Sequence, residues 1–216
     1  MAAELDYMLV TPEIWSAFLS RGVAVIHNFL SKEHVSALLE MANTVYAARE
    51  ERAARGEQPA PNQQMYIQRT ILLEDFTLDG QPAQDACANP ILNLAAQYLG
   101  GEPKVYTNSL VRRVGPKASS VHLPFHQDQR LLEKPLVNIW IALSESGRYA
   151  PGLEIVVANS EELLPTSGDP GSVMGFMRHE ISEKTVLERF GKDALWRPVL
   201  AAGDALVFRL FRESSG

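Results

Sequence analysis

The feature that most constrains this chain is a change of texture near Val105. Upstream, apolar residues recur at helical spacing; downstream they come in short runs punctuated by Gly and Pro, the pattern of strands in a sandwich or barrel. Helices first and strands afterwards predict one α+β domain in which N-terminal helices buttress a β-barrel. At 216 residues, 46% hydrophobic and 21% charged, the chain can bury one sizeable core and is not clearly long enough for two. The expected organisation is a single domain over residues 1–216. Within it, 1–104 is a mainly helical support and 105–216 a β core, interrupted by an insert at 160–198.

Local signals set the elements. Thr11, Pro12 and Glu13 make a helix start: a hydroxyl cap, proline in the first turn, then acid. That helix puts Ile14, Trp15, Phe18 and Leu19 on one stripe and should stop at Gly22, with a buried strand following over 23–26. Ser31 should cap a second helix whose apolar face carries Val35, Leu38, Leu39, Ala42 and Val45. A third begins at Asn89 and Pro90 and ends at Gly100 and Gly101. Strands are expected over 105–114, 136–143, 153–157, 199–200 and 205–208, and a short helix over 182–190 closed by Gly191.

Bulk properties exclude some functions. A net charge of -6 and a pI near 5.4 make a phosphate backbone an unfavourable partner, so no nucleic acid is expected. One cysteine, Cys87, rules out an internal disulfide and a multi-cysteine zinc site, and reads as a small buried residue. The acidic N-terminus lacks a secretory pattern and no apolar run could span a bilayer. The expectation is a cytoplasmic protein with no membrane partner; its oligomeric state is not legible.

The chemistry is concentrated around residues 121–129. In extended chain, residues two apart point the same way, so His126 and Asp128 project together. An imidazole and a carboxylate are two-thirds of the facial set that holds iron(II) in oxygenases. By itself His-x-Asp is a weak signal, since a surface turn gives the same letters. The next strand adds context: Val137, Ile139, Ile141 and Leu143 form an apolar row suited to lying under the helices, while Leu136, Asn138, Trp140 and Ala142 form a mixed row. A polar-decorated face suits a barrel-mouth site. A sheet with one wet face shows the same alternation.

Several segments, in this order, resemble the phytanoyl-CoA dioxygenase family: 108–116, Leu123 through Gln129 with His126, Gln127 and Asp128 at its centre, 137–143, 151–156, and Gly203-Asp204-Ala205-Leu206-Val207-Phe208. The opening from Phe18 to Leu39 is similar to that family's helix, strand and second helix. The resemblance implies a double-stranded β-helix and an iron(II)- and 2-oxoglutarate-dependent oxygenase. Such an enzyme couples decarboxylation of 2-oxoglutarate to succinate with hydroxylation of a small-molecule C–H bond. It implies His126 and Asp128 as metal ligands, Trp140 lining the cosubstrate pocket, Ser109 on a flanking strand and Arg69 as a basic group nearby. A carboxylate at 128 argues against a halogenase, and nothing in the chain is a CoA-binding signature.

The family pattern also calls for a distal histidine beyond Phe208 and an arginine about ten residues further; 209–216 contains no histidine. The last barrel strands would be missing too, leaving an unpaired sheet edge. Three readings follow: a C-terminally truncated oxygenase, an inert β-helix domain kept for ligand binding or interaction, or a substitute third ligand. For the last, His122 and His179 are the candidates, each more simply a pocket or loop histidine. Arg209 and Arg212 are out of register for the cosubstrate arginine, and His27 and His34 are assigned no chemistry. A cupin-like isomerase would need further clustered histidines that the chain lacks.

Overall fold

In the computed structural model, residues 10–57, 70–73, 76–105, 109–111, 125–127, 136–150, 152–158, 164–167 and 180–210 are described. Helix α1 (Pro12–Arg21) starts where its cap is: the Thr11 hydroxyl accepts the Ile14 N–H, and Gly22 closes it at φ +74° with its N–H on the Phe18 carbonyl. Strand β1 (Val23–Ile26) follows at once. Helix α2 (Lys32–Ala54) is capped by Ser31, whose Oγ accepts the His34 N–H at 3.1 Å. Strand β2 (Thr70–Leu72) precedes a hairpin of β3 (Thr77–Leu78) and β4 (Gln81–Pro82). Its turn residues Asp79 and Gly80 both have positive φ, the geometry two-residue hairpins require.

Helix α3 (Ala83–Ala88), which periodicity does not predict, runs into a 3-10 turn at Asn89–Ile91 and then α4 (Leu92–Leu99). The expected third helix therefore begins its regular part three residues after Asn89; its proline serves the 3-10 turn. The remaining elements are β5 (Ser109–Val111), β6 (Leu136–Ile141), β7 (Ile155–Val156), α5 (Glu183–Phe190), β8 (Leu195–Trp196) and β9 (Ala205–Leu210). Helix α5 sits where expected, with Ser182 as cap and Gly191 closing it. Strand β8 falls inside the expected insert, and the expected strand at 199–200 is only a single bridge, Leu200 to Ser146. A two-residue strand carries too little alternation to read in advance.

The architecture is mixed α+β with small antiparallel sheets. The largest is ordered β1-β9-β6, with Ala24 opposite Val207, and Val207 opposite Ile139. Strand β9 is central, and Ala205, Leu206 and Val207 are fully buried because both faces of the sheet are covered. One face, made by Ala24, Ile26, Val207, Val137, Ile139 and Ile141, packs on α1, α2, α3 and α4 through Phe18, Leu38, Cys87 and Leu94. Phe18 meets Tyr98 edge-on at 5.3 Å. A fully buried side chain such as Leu38 or Leu94 contributes about 2 kcal/mol. The apolar row 137, 139, 141 and 143 thus lies under the helices, as its alternation indicates.

The opposite face, with Val23, Trp140, Ala142, Leu206 and Phe208, packs against Leu153, Ile155 and Trp196 of the β7–β8 pair. Separately, β2 pairs with β5, placing Ile71 against Ala42 and Tyr46 of α2. A satellite cluster of Leu164, Ile181 and Val186 takes in Phe125, Val156, Phe190 and Leu195.

Candidate functional site

Strand β9 is entered through a corner at Gly203 and Asp204 that joins three segments. The Asp204 Oδ1 accepts the Asn28 N–H at 3.0 Å, its Oδ2 accepts the Ala201 N–H at 3.0 Å, and His27 Nδ1 lies 3.0 Å from the same Oδ2. The Asp204 carbonyl accepts from Ala142, and Gly203 donates to the Ala142 carbonyl while accepting from Leu30. Burial pushes the Asp204 carboxyl up, but the N–H groups of Asn28 and Ala201 and the His27 ring outweigh it and hold it below its usual value. Gly203 is at φ +93°, and a Cβ there would meet the Leu30 carbonyl oxygen at 2.7 Å. This carboxylate is therefore committed to backbone donors. In the sequence Asp204 shows only as part of a strand motif and nothing marks His27, because their pairing spans 177 positions.

The segment 125–127 is built differently. Phe125 bridges Ile181, accepting the Ile181 N–H at 2.7 Å, and its ring joins the satellite cluster. The Gln127 Oε1 accepts the Leu164 N–H at 2.9 Å. Both neighbours of His126 thus engage the insert, and His126 itself is exposed. With its ring exposed between two anchored residues, His126 is a side chain that could hold a metal. The contact between positions 127 and 164 leaves no local signal in the sequence.

The other expected site residues divide. Trp140 is half-buried on the β6 face that meets the β7–β8 pair, within an apolar cluster. Ser109 opens β5, paired opposite Leu72. Asp128, Arg69, His122, His179 and Arg212 lie outside the described residues. Arg209 stands opposite Val137 on the helix-facing side, and a Cβ at Gly22 would sit 3.0 Å from its Nε, so it faces away from Trp140. His34 Nε2 meets Asp79 Oδ2 at 2.6 Å, tying the β3–β4 hairpin to the first turn of α2. Cys87 is buried and its thiol is pushed up to about 11 by that burial, so it carries little thiolate. Among the described residues no group of three His, Cys, Asp or Glu is placed to hold a metal, and no helix is long and apolar enough to cross a membrane.

No curated protein matches the chain. The family model for phytanoyl-CoA dioxygenase (PhyH) matches residues 18–162, about two-thirds of the sequence, from α1 through β7 and including positions 126 and 128. The chain therefore belongs to the phytanoyl-CoA dioxygenase family.

Proposed function

We propose that this chain is an iron(II)- and 2-oxoglutarate-dependent dioxygenase that hydroxylates a C–H bond of a small molecule. In this reading residues 1–216 form one domain, with 105–216 as a double-stranded β-helix core. The observation that carries it is the family match, which takes in His126 and Asp128 together. The exposed imidazole of His126 between two anchored neighbours supports it.

His126 and Asp128 are the proposed metal ligands, and Trp140, Ser109 and Arg69 the proposed cosubstrate contacts. Bound iron with 2-oxoglutarate would supply the oxidising chemistry. The chain's own share is placement. His126 would bind the metal from a segment held at Phe125 and Gln127. Arg69 would neutralise a carboxylate of the cosubstrate. The indole of Trp140, backed by Leu206 and Leu153, would close one wall against water.

Anaerobic titration of the purified chain with Fe(II), followed by addition of 2-oxoglutarate and air, tests the reading. Stoichiometric iron uptake and succinate formation are expected, and H126A and D128A should abolish both. A chain that folds yet takes up no iron and forms no succinate would overturn it, and would favour the inert β-helix domain retained for ligand binding.

A further inference from the structure

We propose that Gln127 is a positioning residue: its side-chain amide pins the base of the 160–198 insert to the segment that carries His126, and so fixes the direction of the imidazole. The proposal rests on the reading of His126 as a metal ligand. Three contacts carry it. On the N-terminal side of His126 the tie is backbone to backbone, Ile181 N–H to the Phe125 carbonyl at 2.7 Å. On the C-terminal side it is side chain to backbone, the Leu164 N–H to Gln127 Oε1 at 2.9 Å. The two insert segments that make these contacts are joined to each other, since the Ser167 N–H donates to the Glu180 carbonyl at 2.7 Å.

The result is a closed frame: 125 to 181, 180 to 167, 164 to 127. Phe125, Leu164 and Ile181 also share one apolar cluster with Val186, so the frame is filled. Residues 125 and 127 spend their contacts on the insert, while the residue between them is exposed. Of the ties, the one at Gln127 is the only one of these three made by a side chain, and hence the one a substitution can remove while leaving the backbone sequence of contacts in place. Losing it would free the C-terminal side of His126 to pivot about Phe125. A ligand whose supporting partner is lost typically gives up 10–100-fold in metal affinity, because the metal must then order it.

The test compares the full chain with Q127L, which keeps the bulk without the acceptor, and Q127E, which keeps an acceptor oxygen. Co(II) serves as the probe, read by visible absorption for affinity and band shape. Amide exchange at Leu164 and the thermal midpoint are measured on the same samples. Expected for Q127L are roughly tenfold weaker Co(II) binding with an altered band shape, faster Leu164 exchange, and a thermal midpoint close to that of the parent. Q127E should restore slow exchange and the parent band shape. If Q127L does not fold, Q127S removes the acceptor's reach with less added apolar surface. Parent-like affinity and band shape in Q127L, with Leu164 exchange accelerated, would overturn the positioning role while leaving the metal reading intact. A parent chain that takes up no Co(II) would overturn the metal reading, and the role of Gln127 would fall with it.

Discussion

Two of the segments whose sequence resembles the family, of which only the one around His126 lies inside the matched residues 18–162, use their polar side chains in opposite ways. At the Gly203–Asp204 corner the carboxylate is nearly buried and is filled by N–H groups from two separate segments and by the His27 ring. At 125–127 the flanking residues are tied to the insert and the imidazole between them is exposed. The first joins β1, β6 and β9 into a sheet; the second offers a side chain outward from that kind of support. A carboxylate in a family motif is thus not a ligand by default. What distinguishes the two is burial: on one side backbone donors that would be orphaned without the nearly buried Asp204, on the other an imidazole exposed to solvent.

The largest expected effect breaks this comparison if it fails. H126A should weaken Fe(II) or Co(II) binding by at least about 100-fold, more than loss of a supporting residue costs, with little change in thermal midpoint because the side chain is exposed. D204N should do the reverse and leave metal affinity within about twofold, since its carboxylate faces backbone donors. Equal losses of metal in both variants, measured by the same titration, would mean that the Asp204 corner is part of the site.

Next in size is stability at the corner. D204A leaves the N–H groups of Asn28 and Ala201 without their acceptor and should cost about 3 kcal/mol in denaturant unfolding. G203A should cost about 2 kcal/mol, from a positive φ and a Cβ pressed on the Leu30 carbonyl. If D204A unfolds at the parent's denaturant midpoint, the corner is decoration on a sheet held by other contacts.

The same carboxylate sets a pH dependence. Asp204 is held below its usual value in the folded chain, so on acidification the unfolded chain takes up the proton first. Its contribution is therefore fully present above the unfolded value near 4, and is lost as pH falls through the lower folded value. Glu13 and Glu33 are also lowered, by hydrogen bonds from the helix starts they sit on, and act in the same direction. Unfolding midpoints of D204N should accordingly fall less steeply between neutral and acid pH than those of the parent. An acid limb identical in both would show that other groups set it.

How far the sequence reached follows the same division between local and distant partners. The starts of α1, α2 and α5 and the stops of α1 and α5 were legible because Thr11, Ser31, Ser182, Gly22 and Gly191 act on their own neighbours. The two rows of β6 were legible because strand alternation needs no partner. The β3–β4 hairpin could have been found from Asp79-Gly80, a two-residue turn signal with Phe76 and Leu78 before it. Strand β8 and the short α3 could not, since each has too few residues to show a period. At the candidate site, His126 was legible as half of a spaced pair. Its supports were not, because Gln127 meets Leu164 and Phe125 meets Ile181 only after the insert has folded back.

The smallest expected effect separates the two regions as folding units. Ser31 and Ser182 are chemically matched caps: each Oγ accepts the N–H three residues on, both at 3.1 Å. Replacing either by alanine should remove about 1 kcal/mol from its own helix. Helix α2 is part of the main core through Val35 and Leu38, so S31A should lower the global unfolding midpoint by that amount. Helix α5 belongs to the satellite cluster of Leu164, Ile181 and Val186, next to the segment bearing His126. S182A should therefore accelerate amide exchange over 183–190 and at Ile181 by about fivefold through local opening, while global unfolding moves less than in S31A. Equal shifts of the global midpoint in the two variants would mean that the insert unfolds with the buttressed sheet, and that the support around His126 is as firm as the corner at Asp204.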